Sequence, residues 1–99
     1  MLSVQQFEYL GDYKIRLTFN NGKSGIANLK ETICHDKRPI FSSLKDLNNF
    51  KKVVISHGTL TWFNELDLAP EYLFYITFSD EHEFEEMFVR WGYKTRAEL

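Results

Sequence analysis

The sequence predicts a small α+β protein in which an antiparallel sheet packs with short helices. Two patterns support this class. Apolar and polar residues alternate along residues 13–19, as they do in a half-buried strand. Near the C-terminus, four apolar residues follow a helical spacing: Phe84, Met87, Phe88 and Trp91. A chain of 99 residues makes one domain, so we expect residues 1–99 to share a single core.

Residues 13–28 are predicted to form a β-hairpin that follows a first strand over residues 3–9, which together make a three-stranded meander. Asn21 and Gly22 both tolerate positive φ, so we expect them to form the two-residue loop of a type I′ turn. In that register Leu17 faces Ile26 and the two apolar side chains share one face of the sheet.

The middle of the chain is predicted to alternate short helices with a second hairpin. The expected elements are a helical turn at 29–34, a helix near 43–50 with Ser42 or Asp46 as N-cap, a hairpin over 53–63 with His57-Gly58 as its loop, and a helix starting at Pro70. Pro is favoured at a first helical position because its missing N–H costs nothing there. Residues 71–78 fit either a helix or a strand, because apolar residues also alternate along them.

The last predicted element is an acidic amphipathic helix over about residues 79–92, with Ser79 as N-cap and Gly92 as its end. Its outer face carries Glu81, Glu85 and Glu86. The sequence leaves open whether the apolar face packs within the chain or against another chain.

The second hairpin carries apolar residues on both of its predicted faces. Val53 and Ile55 point one way, whereas Val54 and Phe63 point the other. A second apolar face must be covered by a helix or by another chain. Val54, Phe63 and the neighbouring Trp62 are therefore candidate contact residues, and homodimerisation would use the same surface. The alternative, equally open from the sequence, is that Trp62 and Phe63 belong to the core.

Composition narrows the function classes. The net charge is -2, with nine Lys/Arg against five Asp/Glu in residues 1–60 and three against nine in residues 61–99. A simple nucleic-acid binder usually shows a basic excess over the whole domain, so nucleic acid is not the favoured partner.

One cysteine permits no internal disulfide, and no apolar run approaches the ~20 residues of a membrane-spanning helix. The first residues do not resemble a signal peptide, so we expect a cytoplasmic protein.

No residue pattern indicates catalysis, a metal or a cofactor. The three histidines and Cys34 lack the spacing of a zinc site. Cys34 has only His35 or His57 as a conceivable base, and its surroundings match no activated-thiol motif. Asp67 lies in an otherwise apolar stretch before Pro70, and we expect it to accept backbone N–H bonds at the start of that helix.

Three ordered motifs resemble the bacterial domain-of-unknown-function 2442 family over about residues 3–75. They are Leu17-Thr18-Phe19-Asn20-Asn21-Gly22-Lys23-Ser24-Gly25, followed by Asn28-Leu29; then Phe41, Leu44, Asp46 and Phe50; then Trp62, Asn64 and Asp67-Leu68-Ala69-Pro70. The chain departs from the family pattern at Asn28 and Phe63, where an acidic residue and a proline are usual. The segment after about residue 76 is an extension of that pattern.

The resemblance implies a small α+β domain with an antiparallel sheet and brings no established activity. Members of the family are often encoded beside a second small uncharacterised family (4160), in pairs that look like toxin–antitoxin modules. The resemblance therefore implies a small protein partner.

We expect a non-enzymatic protein-interaction domain whose partner is another small protein or a second copy of the chain. The expected contact residues are Val54, Trp62, Phe63, Glu81, Glu85 and Glu86. One alternative is nucleic-acid binding through Lys14, Arg16, Lys23, Lys51 and Lys52. A second alternative is an enzyme that uses Cys34 or the region between Trp62 and Asp67.

Overall fold

The computed structural model describes residues 1–98, with side chains through Ala97, and it confirms the α+β fold. Two antiparallel sheets of three strands each pack with five short helices. The strands are β1 (Val4–Gly11), β2 (Lys14–Phe19), β3 (Ser24–Asn28), β4 (Val54–Ser56), β5 (Thr59–Trp62) and β6 (Leu66–Asp67). The helices are α1 (Lys30–His35), α2 (Pro39–Leu44), α3 (Leu47–Phe50), α4 (Pro70–Phe78) and α5 (Glu85–Trp91).

The N-terminal sheet has the predicted meander order β1-β2-β3. Ile15, Leu17 and Phe19 point inward from the central strand and are fully buried. Lys14 and Arg16 alternate with them and are exposed on the outer face. The period of two in the sequence therefore identified this strand and its buried face correctly.

The register of the β2–β3 hairpin differs from the predicted one by one residue. Leu17 pairs with Gly25, and Arg16 rather than Leu17 pairs with Ile26. The loop contains three residues, 20–22, because the Gly22 N–H donates to the Phe19 carbonyl (3.0 Å) and the Phe19 N–H donates to the Lys23 carbonyl (2.9 Å). Within this loop only Gly22 has positive φ (85°), as in a type I turn followed by a left-handed glycine. The predicted turn position was correct, but the turn type was wrong and Ile26 lies on the outer face, 47% exposed.

Residues 71–78 form a helix and not a strand. Pro70 is the first residue of α4, as predicted. The helix packs along β3, and a methyl group at Gly25 would lie 2.6 Å from Thr77 Cγ2 and 3.1 Å from the Phe78 ring. Gly25 therefore allows the helix to approach the strand more closely than any other residue would.

The helix predicted near 43–50 is interrupted. α2 starts early because Pro39 provides its first residue, and α3 is a separate turn that begins after Asp46. The Asp46 side chain accepts a hydrogen bond from the Asn48 N–H (2.9 Å), which confirms Asp46 as an N-cap. Ser42, the other candidate, lies inside α2.

The second sheet has the order β4-β5-β6. Ile55 pairs with Leu60 around the His57-Gly58 loop, as predicted, and both loop residues have positive φ.

The short third strand of this sheet, β6, was not predicted from the sequence. Asp67 lies in β6, exposed and paired with Thr61, and α4 begins after Ala69 without a side-chain cap. The prediction that Asp67 caps this helix was therefore wrong, because sheet pairing directs the residue away from the helix.

The C-terminal helix packs within the chain. Phe88 of α5 is fully buried, and its ring lies 6.3 Å from that of Phe74 in α4. The helix is shorter than predicted: Ser79 is the C-cap residue of α4 and not an N-cap, and a 3-10 turn at residues 82–84 precedes α5. Gly92 ends the helix with φ 86°, as predicted.

Candidate interaction surface

Trp62 does not belong to a surface. Its side chain is fully buried, and its indole N–H donates a 2.8 Å hydrogen bond to the Phe50 carbonyl. The expectation that Trp62 contacts a partner was therefore wrong. β5 is the central strand of the second sheet, and alternation along it directs Trp62 into the core while Thr61 points outward.

Val54 and Phe63 are both exposed, with 48% and 42% of their surface accessible. Val54 pairs with Thr61, and Phe63 follows Thr61 by two residues, so the two apolar side chains lie at the same end of the second sheet. Residues Val54, Thr61 and Asp67 form a row across the three strands, because directly paired residues share a face. We call the surface formed by this row, Phe63 and Glu65 the outer face of the second sheet.

Phe63 has a backbone conformation that bulky residues rarely adopt. Its φ is 57°, and Asn64 beside it has φ 56°. Left-handed geometry costs a residue with a Cβ about 1–2 kcal/mol. Tyr13 shares this feature at φ 65°, but its hydroxyl donates to the Lys45 carbonyl and its ring packs 5.3 Å from that of Phe50. The internal contacts of Tyr13 offset its strain, whereas the Phe63 ring faces solvent.

A shallow cavity of about 350 Å³ lies on the outer face of the second sheet. Thr61, 9% exposed, lies beneath it. The other residues around the cavity are polar or acidic: Ser56, His57, Asn64, Glu65 and Asp67. Glu65 and Asp67 are exposed, and neither forms an ion pair with any cation among the residues whose side chains are described.

The acidic residues predicted near the C-terminus are partly neutralised by neighbours. Glu85 lies 3.1 Å from His82, and Glu86 lies 2.7 Å from Arg96. The hydrogen bond from Arg96 lowers the pKa of Glu86. Glu81 is exposed in the segment before the 3-10 turn. Arg96 therefore offsets the charge of Glu86, whereas Glu81 forms no ion pair with a described cation.

The basic residues of the nucleic-acid alternative are also dispersed. Arg16 pairs with Glu8, and the Lys23 ammonium lies 3.9 Å from Glu83. Lys51 and Lys52 follow α3, at the end of a different element. The structure therefore does not gather these side chains into one continuous basic stripe.

A groove of about 940 Å³ was not predicted from the sequence. It lies between α1, the start of α2 and α4, where the Thr32 and Tyr72 hydroxyls are 2.6 Å apart. Its walls carry residues of both charge signs together with a histidine: Lys30, Glu31, His35, Asp36 and Arg38. Arg38 binds Asp36 at 2.9 Å, which lowers the pKa of that carboxyl. Residues from distant segments build the groove, so no local pattern in the sequence could predict it.

No constellation for catalysis is assembled around the predicted candidates. Cys34 is exposed at the end of α1. The nearest polar neighbour of the His57 ring is the Ser56 hydroxyl, 3.0 Å from Nδ1. In the part of the chain whose side chains are described, no three His, Cys, Asp or Glu residues are grouped so that they could hold a metal ion.

Comparison with known proteins identifies the family. A family model described as a protein of unknown function, DUF2442, matches residues 4–80. The chain belongs to the DUF2442 family. This result confirms the resemblance drawn from the hairpin and the Trp62–Pro70 motif, and it leaves α5 outside the matched region of this DUF2442 protein. Among curated proteins, none matches the chain significantly.

One solved structure shares the fold of this DUF2442 protein. It is the crystal structure of the "Putative DNA Binding Protein NE0471" from Nitrosomonas europaea ATCC 19718, with a TM-score of 0.67 and 19% sequence identity. The alignment covers 95% of this chain and 63% of that protein. The likeness therefore shows a common fold, and more than a third of the neighbour has no counterpart here. Among the described residues of the DUF2442 chain, no helix has the length and apolar character needed to span a membrane.

Proposed function

We propose that this DUF2442 protein is a non-enzymatic protein-interaction domain whose partner contacts the outer face of the second sheet. The observation that carries the proposal is the solvent-exposed ring of Phe63, held at φ 57°. Strained residues persist where the surrounding structure enforces them, and they are concentrated at functional sites. Exposed aromatic side chains are also the anchors that protein interfaces favour.

Val54 extends the contact area of Phe63, and the polar cavity beside them supplies hydrogen-bonding groups. This combination of an apolar centre with a polar rim is typical of a protein interface. The partner would be a second small protein, with this chain as the antitoxin-like member of a two-protein module. Self-association would use the same face and would compete with that partner.

The proposal is tested by affinity purification of the tagged full-length chain from its native host, followed by mass spectrometry. We expect one small protein in stoichiometric amount. Phe63→Ser and Val54→Ser should each abolish its recovery. Ile26→Ser is the matched control, because Ile26 is 47% exposed on the other sheet. Equal recovery with all four proteins would contradict the proposed surface, and recovery of the bait alone by the wild-type chain would contradict the proposed function.

Nucleic-acid binding is the second candidate, and the name of the structural neighbour is the observation that favours it. The basic side chains that would carry it are Lys14, Arg16, Lys23, Lys51 and Lys52. Arg16 and Lys23 already lie near carboxylates. The net charge of the protein, -2, also repels the phosphates of a nucleic acid. Fluorescence anisotropy with random-sequence duplex DNA at low salt decides this candidate, since electrostatic binding is strongest there. A salt-sensitive signal that Lys51→Ala/Lys52→Ala removes would support it, and a flat titration would exclude it.

A further inference from the structure

Three features of the outer face of the second sheet define the chemistry of what it binds, and the inference rests on the proposed function. The first feature is shape. Thr61 is nearly buried beneath a cavity of about 350 Å³ that is open on one side. A cavity of this size accommodates a few side chains of a docking segment and not a folded surface.

The second feature is the apolar edge. Val54 in β4 and Phe63 in the turn between β5 and β6 are both half exposed, so part of any occupant must be apolar to displace water from them. β5 already pairs with strands on both sides, so an occupant of this face is held by side chains and not by strand pairing with β5.

The third feature is negative charge, carried by Glu65 in the same turn as Phe63 and by Asp67 in β6. Glu65 and Asp67 are exposed at the cavity, without an ion pair to a described cation. Residues 53–69 contain no Lys or Arg. The nearest cations in sequence, Lys51 and Lys52, precede β4 and do not line the cavity. Carboxylates in this position attract cationic side chains and repel phosphate.

We propose that the outer face of the second sheet binds a basic segment of a partner protein, in which an apolar side chain contacts Val54 and Phe63 while Lys or Arg contacts Glu65 and Asp67. The apolar contact supplies most of the binding free energy, because exposed ion pairs contribute little. The two carboxylates supply selectivity, because an acidic segment with the same apolar residue is repelled. A nucleic acid is disfavoured at this face for the same reason.

The test is a titration of the ¹⁵N-labelled full-length chain, observed by NMR, with a synthetic peptide in which Lys alternates with Val and Phe. A second peptide carries Glu in place of every Lys. We expect the basic peptide to shift the backbone amides of Thr61, Glu65 and Asp67, and the acidic peptide to need a clearly higher concentration to produce the same shifts. The Glu65→Gln/Asp67→Asn variant should bind the basic peptide about fivefold more weakly, as expected for the loss of two exposed ion pairs. Added salt should weaken wild-type binding in the same direction.

The matched control is the Asp12→Asn/Asp80→Asn variant, which removes the same amount of charge from two exposed residues outside this sheet. It should bind the basic peptide as the wild type does. Equal binding of the two peptides, shifts confined to the large groove near Tyr72, or no shift at millimolar peptide would each overturn the proposal. Circular dichroism spectra matching that of the wild type establish that the variants fold.

The affinity purification separates this inference from the proposed function. A partner that is lost with Phe63→Ser but retained with Glu65→Gln/Asp67→Asn would leave the interaction domain standing and overturn the charge selectivity. A partner that both variants lose, and that the Asp12→Asn/Asp80→Asn control retains, would support both. A partner that neither variant loses would overturn both.

Discussion

The indole N–H of Trp62 donates a 2.8 Å hydrogen bond to the backbone carbonyl of Phe50, and the two rings lie 5.6 Å apart. This contact joins the central strand of the second sheet to the end of α3. The carbonyl is one of the last in its helix and has no partner within the helix. A tryptophan that the sequence suggested as a surface residue is thus a structural link in the core.

Trp62→Phe should destabilise the protein by about 1–3 kcal/mol, because it removes the shorter of the two hydrogen bonds to the Phe50 carbonyl and leaves only the one from the Val53 N–H (3.3 Å). Urea denaturation followed by circular dichroism measures the change. Trp91→Phe provides the comparison, since Trp91 is only half buried, and it should cost less. A Trp62 variant as stable as the wild type would show that water replaces the lost donor.

Gly25→Ala should destabilise the protein by about 1–3 kcal/mol, since a new methyl would lie 2.6 Å from Thr77 Cγ2 and force the helix away from the strand. Thr77→Ser removes that methyl but retains the hydroxyl that bonds the Leu73 carbonyl. The double variant should therefore recover part of the loss, as a double-mutant cycle would reveal. Additive effects would indicate that the Phe78 ring, and not Thr77, limits the space.

Phe63→Gly should leave stability unchanged or raise it by up to about 1 kcal/mol, because glycine relieves the left-handed strain at this position. Tyr13→Gly is the matched control, with nearly the same φ but with its ring and hydroxyl engaged internally. The control should lower the thermal midpoint clearly. A large loss of stability in Phe63→Gly would mean that the phenyl ring is needed for folding rather than for binding.

Asp46→Ala should cost about 1 kcal/mol of stability, the usual effect of removing an N-cap side chain. Ser42→Ala should have almost no effect, because Ser42 lies within α2 and caps nothing. Thermal unfolding of the two variants in parallel distinguishes the cap from the helical residue. Equal effects would contradict the separation of α2 from α3.

Glu86 should titrate below the ordinary glutamate range, because Arg96 donates a hydrogen bond that favours its ionised form. A lowered pKa in the folded state stabilises the fold above the ordinary pKa, and this contribution is lost as the pH falls through the lowered value. NMR titration of the carboxyl carbon measures the pKa directly. Arg96→Gln should return it toward the ordinary value, whereas Arg38→Gln, at a distant pair, should leave it unchanged.

Patterns within one element predicted this fold well. Alternation located β2 and its buried face, Pro70 marked the start of α4, and His57-Gly58 set the second hairpin correctly. Each of these three predictions depends on a local backbone conformation that is favoured by the residue types in that segment. The same reasoning failed at Asn21-Gly22, where two- and three-residue loops both suit the sequence. The close approach of α4 to Gly25 in the three-residue register is a contact that no local pattern reveals.

Side-chain exposure was harder to predict than secondary structure. Trp62 and Phe63 are neighbours, yet one is fully buried and the other is 42% exposed, because the first ends a strand and the second begins a turn. The acidic residues near α5 were identified correctly, but their partners His82 and Arg96 were not. Glu65 and Asp67 became candidates for binding only once β6 brought them to the same face.

The packing of α5 also determines where the chain can be truncated without exposing its core. The family match ends at residue 80, but Phe88 beyond it is fully buried, and Phe84 and Trp91 close over Phe74. A fragment ending at residue 80 would expose a patch of aromatic rings to water and would tend to aggregate. The region that the family model matches therefore marks family membership, but it is not an independent folding unit in this protein.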